Sequence, residues 1–206
     1  MSALRRQCRD APLLSRLGIL LLLAYCARVI AFLRCVGLFN AAVWFGAAMF
    51  FTFGVQPAAF SQEMKGLLEA KNYPYFSGAI AQLLTARYFH LQIVCGVVAL
   101  LHLLVEWVYL GKSGQKLWLG LLIALFAAAL LGGGWLQPKL ERLHTTIYAV
   151  NTPPRNRIAA SQSFGVWHRV FTAVNLAMLA GLAVYLWRVA HPSDPTRFVS
   201  TAKFRT

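Results

Sequence analysis

The chain has 206 residues, of which 59% are hydrophobic and only 13% charged, with a mean hydropathy of +0.59. A water-soluble domain carries about a quarter charged residues, so this is the composition of an integral membrane protein, not of a disordered chain or a secreted disulfide scaffold. The four cysteines form no CxxC, and the net charge of +14 lies in basic residues that flank apolar runs. Their natural partner is an anionic lipid bilayer, and no nucleic acid is expected.

Arg5, Arg6, Arg9 and Arg16 precede a short apolar run, LGILLLLAYCA. Its charge order and length are those of a signal peptide, and Cys26 stands where a lipoprotein cysteine would, but Tyr25 is too bulky for the position before it. A long first helix that starts along the membrane interface fits better, and Arg28 and Arg34 oppose a further full crossing there.

A bilayer core of about 30 Å asks for roughly 20 apolar residues per helix. Four stretches meet that demand, approximately residues 36–60, 91–110, 117–136 and 166–189. The first holds Gly37, Ala41, Ala42 and Gly46 three to five apart, and the third ends in AAALLGGGW. Small residues at helical spacing let a neighbouring helix approach closely.

Residues 57–72 read as an amphipathic helix, with a break over 72–77 at Pro74 and helix again from Ala79 into the second span. A short polar turn, residues 111–116, makes spans two and three antiparallel neighbours. Beyond Pro138 the helical pattern runs through KLERLHTTIYAV until Asn151-Thr152-Pro153-Pro154 stops it. No long internal repeat is visible. The expected fold is all-α, an integral membrane four-helix bundle whose helices extend beyond the bilayer on one side. A basic extension over 1–30 precedes the domain at 31–190, and a basic tail follows over 191–206.

Twelve of the twenty Lys and Arg fall on the side holding the termini and the short turn, and eight on the other. This predicts both termini in the cytoplasm, with a bacterial inner membrane as the expected location. Trp107, Tyr109, Trp135, Trp167, Tyr185 and Trp187 stand near span ends, as in an aromatic belt.

Only polar residues at membrane depth are candidates for chemistry. On this topology His90, His144 and His168 share one level on the outer side. Neutral imidazoles there suit a haem held by His90 and His168, or a metal ion that also takes His144. As a structural alternative, each anchors the interface or bridges helices, since no HxxxH or Cys/His spacing is present. His102 lies roughly 18 Å deeper than His90 at helical rise. Glu106 is four residues further on the same face, which predicts a pair, structural or proton-relaying. Asn40 and Asn175 need partners across the bundle and are expected as glue. The chain contains no HExxH, GxSxG or Walker loop, so no enzymatic chemistry is predicted.

Four segments in order resemble the transmembrane protein 205-like family, a four-helix membrane domain of unknown function. They are VWFGAAMFFTFG followed by Gln56-Pro57-Ala58; Tyr88-Phe89-His90; Trp135-Leu136-Gln137-Pro138; and Trp167-His168 with Asn175 seven residues on. The resemblance spans roughly residues 30–190. Gln137 replaces an acid usual in animal members, and the Arg-rich extension lies outside the pattern. The resemblance implies no established activity; animal relatives are associated with platinum-drug resistance and membrane trafficking. A more distant similarity to four-helix haem and copper-related membrane proteins implies a cofactor site, but the histidine those place in the first span is missing here.

Three functions are therefore expected in order. The first is a structural or accessory subunit packed against other membrane protein subunits, such as a respiratory or photosynthetic complex. The second is export of a small solute, drug or metal through a polar cavity joining His90, Asn175, Asn40 and His102. The third is haem or metal binding between His90 and His168.

Overall fold

The computed structural model describes residues 13–110 and 116–191. The expectations for the basic extension before Leu13, for the turn at 111–115 and for the tail after His191 lie outside the described residues. The chain divides into two compact units, Met1–Gly37 and Leu38–Thr206. Of the first, the described part is helical from Leu13. The second holds the bundle.

In chain order the elements are α1 (Leu13–Phe50), a π-helical turn (Phe51–Val55), α2 (Gln56–Ala59), α3 (Gln62–Leu110), α4 (Lys116–Leu131), a second π-helical turn (Gly132–Leu136), α5 (Gln137–Tyr148) and α6 (Pro154–Ala190). Among the described residues there are no strands, and four helical stretches are long and apolar enough to cross a membrane: Ala31–Ala59, Gln62–Trp107, Lys116–Tyr148 and Pro154–Ala190. The fold is the all-α four-helix membrane bundle, and the protein is a multi-pass membrane protein.

The two π-turns have one cause. Pro57 and Pro138 carry no N–H and crowd the carbonyl four residues back. The helix accommodates each by widening its register just before it: Gln56 N–H bonds to Phe51 O, and Gln137 N–H to Gly132 O, five residues back in both cases. The correspondence between spans one and three is confined to Gln-Pro after a π-turn, too short to stand out as a repeat.

The predicted break at residues 72–77 is displaced. Residues 62–110 form one helix except at Glu69, whose φ of 60° and ψ of 149° are non-helical, and Pro74 lies inside the segment that follows. Proline strips the carbonyl of Ala70 of its partner, and the chain yields one residue further back, where both groups are exposed. The amphipathic helix predicted for 57–72 is likewise divided at Phe60 and Ser61. There Ser61 Oγ accepts the Met64 N–H at 3.2 Å and so caps the start of α3.

Trp44, Phe51, Tyr88, Phe89, Leu122, Phe171 and Leu182 lie in the core. Lipid supplies no hydrophobic drive between helices, so close contact and interhelical hydrogen bonds must hold them. Contact is close at Gly132, where an added Cβ would collide with the Phe89 ring. Gly133 meets the same side chain, whereas Gly134 has nothing within 4 Å. Phe51 stacks on Tyr88 with centroids 4.1 Å apart.

Candidate functional site

Mid-bundle polar groups are tied to one another. The Tyr88 hydroxyl donates to Asn175 Oδ1 at 2.6 Å, Asn175 Nδ2 donates to Thr52 Oγ1 at 2.6 Å, and Thr52 Oγ1 donates to the Ala48 carbonyl at 2.7 Å. Three spans are pinned by this chain of bonds. Trp44 Nε1 donates to Gln92 Oε1, and Asn40 Nδ2 to the Cys95 carbonyl at 3.0 Å. A buried amide without partners is costly, so these bonds fix register and rotation of the helices.

Next to this layer, a cavity of about 220 Å³ opens between the first π-turn, α3, α5 and α6. The proline-driven turns place Gln56 and Gln137 on it, α3 contributes Gln82 and Thr85, and α5 and α6 contribute His144 and His168. Phe51, Phe60, Phe164 and Phe171 supply aromatic walls, and among the described residues no Asp, Glu, Lys or Arg lines it. Gln82 Nε2 and His144 Nε2 are both buried without a hydrogen-bond partner. His144 is only 5% exposed. The backbone of Pro74 lies beside its ring. In either tautomer, Nε2 is a polar atom with no partner in the protein. Gly78 makes room for this nitrogen, since a Cβ there would collide with it.

The structure brings two of the three predicted imidazoles to this cavity. His168 is half-buried and stacked with Phe164 and Phe171, at 5.9 and 6.2 Å between centroids. His90 is exposed, with Nδ1 2.7 Å from the Ala86 carbonyl, and is not among the cavity residues. Among the described residues, no three His, Cys, Asp or Glu side chains gather as a metal site. His102 and Glu106 are both half-buried. Glu106 lies near enough to Tyr185 to act on it electrostatically. Of the motif residues, Tyr88, Phe89 and Leu136 are buried, and Pro138 is half-buried. Trp135 packs edge-on against Trp167 with Lys139 Nζ 3.5 Å above the Trp167 ring.

Sequence reasoning missed Gln82, Gln92 and Thr52. Gln92 was the legible one: a carboxamide inside an apolar run, fully buried here, needs a partner for the same reason as Asn40. Gln82 gave no such signal, because it precedes the apolar run and reads as a solvated position.

Residues 39–149 match a family described as a domain of unknown function (DUF4149), over more than half of the chain. The chain belongs to that family. The matched stretch carries both π-turns, His90 and His144, and ends before α6 with His168 and Asn175. No curated protein and no solved structure matches.

Proposed function

We propose that this DUF4149 member is a structural or accessory subunit that docks against another membrane protein and performs no catalysis of its own. The observation that carries this is the outer face of α1. Phe39, Ala42, Val43, Gly46, Phe50 and Phe53 recur at helical spacing and are all exposed, and a Cβ at Gly46 would meet nothing within 4 Å. A face meant for lipid alone has no need of small residues, whereas Ala42 and Gly46 between phenylalanines form the notch that a neighbouring helix requires.

The ordered motifs support a kinship with the transmembrane protein 205-like family, and the excess of basic residues on one side supports cytoplasmic termini, in a bacterial inner membrane on this reading. Extraction from native membranes in mild detergent tests the subunit role. The protein is expected to migrate with other subunits and to lose them in a Gly46→Leu variant. Migration as a lone monomer overturns it.

Export of a solute has less support, because Asn40 and Asn175 are each engaged by separate neighbours and frame no common path. Haem or metal between His90 and His168 is likewise weakened by His90 standing on an exposed face. An absorption spectrum and metal analysis of the purified protein check that reading directly.

A further inference from the structure

The cavity beside the π-turns has the properties of a ligand site, and they limit the ligand. With no charged lining, it offers nothing to neutralise an ion, and a charged guest would lose its hydration without compensation. Its walls are aromatic, which suits a flat apolar body. Its polar groups are carboxamides and imidazoles. Gln82 Nε2 is a donor, His144 Nε2 donates or accepts according to the tautomer, and both lack a partner within the protein. Orphaned buried groups of this kind are rare in native structures and mark a missing bonding partner. Independently, both π-turns deliver a glutamine to the same cavity, and such widened turns are frequent at functional sites.

The geometry points to a binding site for a neutral, lipid-soluble ring compound of the quinone or quinol type, held by carboxamide donors from Gln82 and Gln56 at its carbonyl oxygens, with the His144 imidazole beside them. The ring lies against Phe164 and Phe51. Gly78 belongs to the site because it leaves the His144 imidazole its position. Binding alone is inferred, with no electron transfer.

The test uses the full chain, purified and delipidated in detergent, dialysed to equilibrium against protein-free micelles. Two probes are compared, 1,4-naphthoquinone and naphthalene, which share a ring system and differ in the carbonyls. Saturable binding of one quinone per chain is expected, at least about tenfold tighter than naphthalene, the ratio of one or two hydrogen bonds. Gln82→Leu should weaken the quinone by about tenfold and leave naphthalene unchanged. It should not lower the melting temperature, because Gln82 Nε2 has no partner to lose. Ser161→Trp, at an exposed position on the cavity rim, should exclude both probes from a folded protein and decides the matter if the glutamine variant is unstable. Equal affinity for the two probes, non-saturating uptake, or unchanged quinone affinity in a folded Ser161→Trp protein would overturn the inference.

Discussion

The Tyr88 hydroxyl and the Asn175 amide, 87 positions apart, share a 2.6 Å hydrogen bond in the centre of the bundle. Asn175 spends its other end on Thr52, so one side chain joins spans one, two and four. Asn175→Leu is expected to destabilise the folded protein by about 1–3 kcal/mol, since the Tyr88 hydroxyl loses its acceptor in an apolar setting and Thr52 keeps only its bond to the Ala48 carbonyl. Tyr88→Phe should cost less. Denaturation in detergent, run as a double-mutant cycle, should give a coupling of about 0.6–1.7 kcal/mol between them; additive effects would mean that the bond contributes nothing.

At Gly132 the second π-turn passes directly under Phe89. Gly132→Val forces the ring or the helix aside and should cost about 1–3 kcal/mol. Pairing it with Phe89→Ala should recover part of that loss, because the ring it strikes is gone. Thermal melting of the three variants checks this, and a Gly132→Val protein as stable as the parent would contradict the contact.

Glu69 holds a φ of 60° and a ψ of 149°, a conformation that side chains resist and glycine accepts. Glu69→Gly should therefore stabilise the protein by about 1 kcal/mol, net of the extra freedom that glycine gains when unfolded. A fall in melting temperature would place the kink elsewhere.

Lys139 Nζ sits 3.5 Å above Trp167 and 4.9 Å from Trp135. Lys139→Met should weaken the fold by about 0.5–1 kcal/mol and change the tryptophan emission spectrum, since the cation over the indole faces is removed. An unaltered spectrum would show that the ammonium does not rest there.

Much of the architecture was legible from residue pattern alone. Length and apolarity set the four crossings, and Pro138 followed by KLERLHTTIY marked the helix that continues past the third. The break in α3 is not legible at its true position, because Pro74 marks the disruption in the sequence while the backbone relieves it at Glu69. Asn40 bonds the Cys95 carbonyl, and Asn175 bonds Tyr88 and Thr52. Their partners were not legible, since a Thr, a Tyr and a backbone carbonyl look ordinary in a sequence. The level shared by the outer histidines was read from topology, but a level does not fix azimuth. His90 turns outward while His144 and His168 turn toward the cavity, and only helix rotation decides between them.

Each π-turn inserts a surplus residue into its span, and this has a consequence for evolution by insertion and deletion. One residue corresponds to about 100° of rotation. Losing a single residue from 51–55 or 132–136 would keep the helix before the turn and, while crowding the proline against it again, swing Gln56 or Gln137 a little more than a quarter of the way round its axis. The membrane-embedded and protruding parts of spans one and three can therefore be re-aimed relative to each other by the smallest possible genetic change, without unpicking the lipid-facing half.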